Sequence, residues 1–354
     1  MRPSSSSLAA PVPTIADVAR RAGVGRSTAS RVLNGSPHVD QATRDRVREA
    51  ITALGFTPSQ AARRLSLGRT WAVDIIVDLG SAESVERLRG AWAVLRGAGY
   101  EVILRHADSQ GTGDQPLLRP PPRGGADGLL ILSVPPDPAA LDSLAAALVP
   151  VVAVDVVGGA ARHLPTVSSD DIAGGATAGR FLSAIGHESL GFVGEAVDGA
   201  SESAATRARL LGFADALSAA GARLHTEFGG QGAGSAHDLA VRLLSTRCPP
   251  TAVLAAGDIE ALGVLAAARE LGLRVPADLS VVGYGDLPPA KAVGLTTIRA
   301  QLPETGRTGA GMLVAEIGTP SPVPPSVCLV PELVLRATAA PPPGRRREPR
   351  QPAA

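Results

Sequence analysis

The stretch TIADVARRAGVGRSTASRVLNGSPHVDQATRDRVREAITALGFTPSQAARRLS, residues 14–66, decides how the rest of the chain is read. Thr14 suits a helix N-cap, with Asp17 three places on as its reciprocal partner near the positive end of the helix. Ile15, Val18, Ala19 and Ala22 repeat at helical spacing, and Gly23 stands where a left-handed residue ends a helix. A second helix is expected over 26–33, with Ala29, Val32 and Leu33 inward and Asn34-Gly35 as its stop. Asp40 caps a third, whose inward residues include Val47, Ala50, Ile51 and Leu54, and Gly55 closes it. Pro58 opens a fourth short helix over 59–66, too short to hold itself in water. Two short helices at a glycine turn, a third behind them and a basic helix after them give the order of a helix-turn-helix DNA reader with a minor-groove element.

Charge supports a polyanion partner for this end of the chain alone. The whole chain carries +1, yet residues 1–70 carry +7, residues 71–340 carry −9 and the tail from 341 carries +3. A basic head on an acidic body suits nucleic acid at the head. Lys291 is the sole lysine, so the cations are arginines. The two cysteines, Cys248 and Cys328, lack metal-ligand spacing and are expected as small buried hydrophobes. No metal or cofactor is expected. Residues 1–13, MRPSSSSLAAPVP, contain no apolar run of a signal peptide, and no segment approaches a membrane span, so a cytoplasmic protein is expected.

From Trp71 the texture changes. Apolar runs of strand length (73–77, 101–104, 128–132, 151–154, 190–193, 252–255 and 280–284) alternate with helical stretches at 84–98, 139–148, 172–185, 204–220, 236–245 and 259–271. Such alternation with continuous apolar strands predicts parallel sheets covered by helices on both faces. A further helix (304–316) and one final strand (327–335) follow, and this segment could return to the first half. The expected domains are a disordered extension (1–13), the helix-turn-helix unit (14–58), a hinge helix and linker (59–70), a two-lobed body (71–338) and a disordered basic tail (339–354). Within the body the first lobe is expected at about 71–160 and 296–336, and the second at about 165–294. The prolines of DSQGTGDQPLLRPPPRGG (108–125) forbid a crossover helix where one would be expected.

The segments TIADVA (14–19), Ala22-Gly23-Val24, TASRVLN (28–34), Val39, Thr43-Arg44, Arg46-Val47, Leu54-Gly55-Phe56 and Pro58 together resemble the headpiece of the LacI/GalR family of transcription repressors. The body is similar to the same family at GHESLGFVG (186–194), RLLGF (209–213), VLAAGDIEALG (253–263), GLRVPADLSVVGYGD (272–286) and LTTIRAQ (295–301), in family order. The resemblance covers about 14–336 and implies a homodimer with a two-lobed, periplasmic-binding-protein-like body. It implies lobes joined by crossing strands, a small-molecule effector in the cleft, and a hinge helix that folds on double-stranded operator DNA and wedges a leucine into the minor groove.

By this resemblance the second helix enters the major groove and offers Gly25, Arg26, Ser27 and Thr28, with Ser30 and Arg31 on the next turn. Arg26 can fork onto guanine O6/N7, and Ser27 can meet several bases. Thr14, Thr28 and Asn34 fit phosphate contacts that position the helix. The other reading of Arg26 and Arg31 is a solvated helix face. Gly25 stands where relatives often have serine; it caps without a hydroxyl. In the hinge, Ser59 caps, Ala62 permits close approach, Arg63 and Arg64 track phosphates and Leu65 is the wedge, or else packs on the body. In the cleft, the family arginine before xxGF is Arg209, with Asp155, Asp170, Asp258 and Asp286 as the matching polar positions. Arg209 could equally be a structural ion pair. The sequence departs from the family pattern at Ala82-Glu83-Ser84, Gly257-Asp258 and Gly285-Asp286, and each change removes a hook or platform that a sugar would use. Three options follow: a different or larger ligand, a non-sugar ligand, or a cleft that binds none. Two rival classes fare worse. The six histidines form no ligand-spaced pair, no G-x-S-x-G elbow occurs, and GGQGAG (229–234) follows no clear strand and lacks the phosphate-loop Lys-Ser/Thr, so an enzyme is not expected. A periplasmic solute-binding protein would explain neither the basic head nor the missing signal peptide.

Overall fold

The computed structural model describes residues 13–33, 36–56, 69–107, 125–134, 138–146, 148–156, 163–195, 204–230, 232–321 and 323–344. The chain divides into two compact units, Met1–Thr70 and Trp71–Ala354. The expected hinge helix (59–66) and the proline-rich 108–124 lie outside the described residues.

The first unit holds α1 (Ile15–Ala22), α2 (Arg26–Leu33) and α3 (Gln41–Leu54). The boundaries of α1 and α3 have local causes. The Asp17 carboxylate accepts from the Thr14 N–H at 2.9 Å and from its hydroxyl at 2.7 Å. Gly23 and Gly55 take left-handed φ values of 64° and 58°, which a side chain would strain. Asp40 caps α3 by accepting from the Thr43 N–H at 2.8 Å. A small core of Val18, Ala22, Val32, Val39, Val47 and Ala50 joins the three helices.

The second unit contains two six-stranded sheets. In the first lobe the elements are β1 (Ala72–Val77), α4 (Ala82–Gly97), β2 (Glu101–His106), β3 (Gly128–Leu132), α5 (Pro138–Ala146), β4 (Val151–Val154) and β5 (Thr166–Ser169). The second lobe comprises α6 (Asp171–Ala184), β6 (Ser189–Glu195), α7 (Ala204–Ala219), β7 (Arg223–Gly229), α8 (Gly232–Leu244), β8 (Ala252–Ala255), α9 (Asp258–Glu270), β9 (Ser280–Tyr284), α10 (Pro288–Ala292) and β10 (Thr296–Arg299). The chain then returns through α11 (Leu302–Gly318) and β11 (Ser326–Leu329) to the first sheet and ends with β12 (Glu332–Val334) on the second. The first sheet runs β11-β5-β4-β3-β1-β2 and is parallel throughout. The second runs β12-β10-β9-β8-β6-β7, with β12 alone antiparallel. Strands β1, β3, β4, β8 and β9 are buried along their whole length, as apolar strands covered on both faces require, and this burial includes Asp74 of β1 and Ser280 of β9.

The chain passes between the sheets three times, at 169–171, 299–302 and 329–332. These passages are bonded to one another. The Ser169 hydroxyl donates to the Ala300 carbonyl at 3.1 Å, the Asp170 N–H to the Leu329 carbonyl at 2.9 Å, and the Gln301 amide to the Val330 carbonyl at 2.9 Å.

Several expectations need correction. The single strand at 327–335 is two strands, β11 and β12, in different sheets. Strands β5, β7 and β10 were not expected. β5 belongs to the first sheet and β10 to the second, so 166–169 and 296–299 exchange lobes relative to the sequence reading. GGQGAG does follow a strand, β7, and α8 begins within it at Gly232. Both cysteines are exposed, Cys328 because it lies on the sheet-edge strand β11. The docked body extends past 338: the Ala340 carbonyl accepts from His187 Nε2 at 2.9 Å and its N–H donates to the Ser280 hydroxyl at 3.0 Å. Among the described residues no helix is long and apolar enough to cross a membrane, and no three His, Cys, Asp or Glu side chains gather as metal ligands would.

Candidate functional site

The start of α2 is presented to solvent. The Gly25 carbonyl accepts from the Thr28 and Ala29 N–H groups at 3.0 Å, so glycine caps the helix. Gly25, Arg26, Ser27 and Arg31 are exposed, Thr28 and Ser30 are half-buried, and Thr14 is exposed at the start of α1. Ala29 and Val32, on the opposite side of α2, are buried. Among the described residues neither Arg26 nor Arg31 has an acidic partner, whereas Arg20 is paired with Asp17. A helix anchored on one side, with exposed guanidinium groups on the other, can present them to an anion or to base edges. Asn34, Ser59, Ala62, Arg63, Arg64 and Leu65 lie outside the described residues.

A second polar cluster joins the two lobes of the body. Arg209, on α7, is buried, and four groups surround its guanidinium. Nε donates to Asp171 at 3.1 Å and Nη1 to the Ala256 carbonyl at 2.6 Å. The Tyr284 ring lies 3.9 Å beneath it. These three partners come from the second lobe. The fourth is Glu83 on α4 of the first lobe, whose two oxygens accept from Nη1 and Nη2 at 2.9 and 3.0 Å. Glu83 lies 3.5 Å from Arg87, which donates to Asp155 at 2.6 Å. Asp155 in turn accepts from the Ser169 N–H at 2.6 Å.

Burial alone would raise the Glu83 carboxyl, but Arg209 and Arg87 together hold it below its usual range. Asp171 is pushed up by burial, partly opposed by Arg209. Burial would lower Arg209, yet Asp171 and Glu83 keep it charged, well above its ordinary value.

Two helix crossings set these arginines in place. Arg87 begins RLRG (87–90) on α4, and Arg209 begins RLLG (209–212) on α7. A methyl group added at Gly90 would come within 1.9 Å of the Pro303 carbonyl oxygen, and one at Gly306 within 1.9 Å of the Arg87 oxygen. In the second lobe Gly212 stands in the same relation to Ile172, and Gly175 to Arg209, again at 1.9 Å. Glycine is therefore required for the α4–α11 and α6–α7 pairs to approach this closely. Each arginine sits one turn before such a crossing glycine.

The structure thus brings Arg209 and Asp155 into one network, linked through Arg87 and Glu83. Asp170 instead caps α6, accepting from the Ala173 N–H at 2.9 Å. Asp258 is fully buried within the second lobe, accepting from the Leu287 N–H and the Thr297 hydroxyl, both at 2.6 Å. Burial raises its carboxyl to about 6, against the pull of these two bonds. Asp286 pairs with Arg299 and Arg336. Neither Asp258 nor Asp286 bonds to the Arg209 network. Sequence reasoning missed Arg87, Asp171, Tyr284 and the part played by Glu83. The repeated Arg-x-x-Gly was the available signal for Arg87. Beside the network, a groove of about 370 Å³ is lined by Leu79, Ala82, Val85 and Arg89 from the first lobe and Ile259 and Leu287 from the second.

Comparison with known proteins covers both units. Residues 14–59 match the family described as bacterial regulatory proteins, lacI family, and residues 180–339 match the periplasmic binding protein-like domain. The HTH-type transcriptional repressor PurR of Erwinia tasmaniensis is 32% identical over 339 residues, which is 92% of this chain and 97% of the relative. PurR of Salmonella paratyphi B is 33% identical over 336 residues, with the same coverage. Among solved structures, the lac repressor dimer bound to operator and the anti-inducer ONPF is similar at a TM-score of 0.79 and 26% identity, covering 93% of this chain and 100% of that one. A complex of the transcriptional regulator CelR with cellobiose is similar at 0.64 and 29%, covering 92% and 99%.

Proposed function

The chain belongs to the lacI family of bacterial regulatory proteins, and on that premise we propose that it is a repressor that binds a two-fold-related DNA site as a homodimer, under control of its inter-lobe cleft. It is a DNA-binding transcriptional regulator and not an enzyme. The observation that carries the reading is the exposed Arg26 at the start of α2, which has no acidic partner among the described residues, on a helix whose other side is locked into the headpiece core. In this role Arg26 forks onto a guanine and Ser27 meets a neighbouring base, while Thr14, Thr28 and Asn34 hold phosphates. Ser30 and Arg31 flank the groove. The segment with Ser59, Ala62, Arg63 and Leu65 orders on the duplex, with Leu65 as the wedge.

Selection of bound duplexes from a random pool tests this directly. The expected product is a pseudo-palindrome whose affinity falls steeply with salt as counterions leave the neutralised phosphates. A protein with no preference over random competitor at moderate ionic strength overturns it.

The cleft favours a second, narrower reading: control by something other than a typical sugar. Similar structures hold cellobiose or ONPF. In this chain the fork of Arg209 is filled by a charged carboxylate, and a pair of neutral hydroxyls would have to displace a charge-assisted bidentate bond. Calorimetric titration of the full chain with neutral sugars and with small anions separates the two cases, and tight binding of a sugar refutes this reading.

A further inference from the structure

We propose that Glu83 is a tethered ligand: its carboxylate, carried on the first lobe, fills the guanidinium fork of Arg209 on the second, and the position it fills is a site for a small carboxylate. This rests on the cleft being the controlling site of the regulator.

The argument starts from what each lobe builds by itself. In the second lobe Asp171 and the Ala256 carbonyl hold the Arg209 guanidinium at Nε and Nη1, and the Tyr284 ring lies against one face. The edge that remains carries N–H groups of both Nη atoms, and the two Glu83 oxygens satisfy them. In the first lobe Asp155 fixes Arg87, and Arg87 stands 3.5 Å from the same Glu83 carboxylate. Two guanidinium groups from opposite lobes therefore converge on one carboxylate. The arginine side chains are only 4% and 5% exposed and that of Glu83 is 19%, so the guanidinium donors depend largely on this acceptor.

Without the Glu83 side chain, the fork of Arg209 would keep buried donors that no acceptor meets, which is costly. A group with two oxygens on one carbon matches that fork in spacing and charge; a sugar hydroxyl pair matches only the spacing. Glu83 also has its backbone on α4, whereas a free carboxylate joins the lobes only by lying between Arg209 and Arg87. Filling the fork from the opposite lobe joins the lobes without any ligand. The joined arrangement is then the default of this chain.

The two exposed cysteines supply the readout, since Cys248 lies in the second lobe and Cys328 on β11 of the first sheet. Spin labels on both, in full-length chain diluted with unlabelled protein, report the distance between lobes. The native protein is expected to give one narrow distribution that formate does not alter. In Glu83→Ala the distribution should broaden and lengthen, and formate or acetate should restore it, while chloride and ribose at equal ionic strength should not. Glu83→Gln should broaden it too but resist rescue, because its amide still fills the space. A native-like distribution in Glu83→Ala overturns the proposal, as does rescue by ribose or failure of every carboxylate. If the alanine variant does not fold, a native-like distribution in Glu83→Gln overturns it instead. DNA binding measured on the same samples keeps the two readings apart. Loss of site preference by the native protein ends the repressor reading and leaves the distances standing, whereas intact DNA binding with closed lobes in Glu83→Ala ends this proposal alone.

Discussion

The same substitution at two positions of one helix should move stability in opposite directions. Helix α11 contains Gly306 and Gly311. At Gly311 an added methyl group meets nothing within 4 Å. Alanine there should stabilise by about 0.5–1 kcal/mol, since glycine loses more backbone freedom on entering a helix. At Gly306 the methyl would lie 1.9 Å from the Arg87 carbonyl oxygen and 3.1 Å from the Ala91 nitrogen. Both obstacles are backbone, so no side chain can turn aside. Restoring an ordinary contact of roughly 3.4 Å means moving α4 and α11 apart by about 1.5 Å, an overpacking change that costs about 1–3 kcal/mol or more. After the helix-propensity gain, Gly306→Ala should be destabilising by about 1–2 kcal/mol. For a body of this size each kcal/mol moves the melting temperature by roughly 2–4 °C, so the two variants should melt on opposite sides of the parent. Tryptophan fluorescence during thermal unfolding suits the measurement, because Trp71 and Trp92, the two tryptophans of the chain, both belong to the first lobe. A Gly306→Ala protein as stable as its parent would refute the claim that this crossing needs glycine.

Arg26→Ala should weaken binding to the selected duplex by roughly 1–3 kcal/mol and relax base choice at one position of each half-site; repeating the selection with the variant checks both. A uniform loss across all sequences would assign Arg26 to phosphate instead. The Asp258 carboxyl should titrate near 6 in carbon-detected NMR, because burial favours its neutral form. Its value is raised on folding, so it takes up a proton as the chain folds, and its contribution to stability falls as pH rises from about 4 through 6. A midpoint near 4 would refute the claim that burial outweighs its bonds from Thr297 and Leu287. Both thiols should react with an aromatic disulfide reagent under native conditions, and protection of either would contradict the exposure described above.

The headpiece was readable because its determinants are local. Thr14 with Asp17, Asp40 with Thr43, and the left-handed Gly23 and Gly55 each act within a few residues. The central strands were equally plain, since β3 and β4 are continuous apolar runs and β1 is broken only by Asp74. The missed strands lack that signal. β7, RLHTEFG, is the outer strand of its sheet and is only partly buried, while TVSS and TTIR earn their places through neighbours distant in the chain. The split at 330–331 was invisible because Val327 and Leu333 look alike in composition yet pair with different sheets. For the cleft, sequence pattern pointed to Arg209 but could not name the acid opposite it. Glu83 lies 126 positions away, and the two meet through the stacking of two separate lobes.

The three stitched passages between the sheets restrict what the body can do. A single tether would let the lobes twist, slide or part in any direction. Three adjacent ones, sewn by hydrogen bonds from Ser169, Asp170 and Gln301, oppose sliding and separation and leave rotation about one line. The opening of the body then reduces to a single angle, and any side chain spanning the gap acts on that angle as a whole.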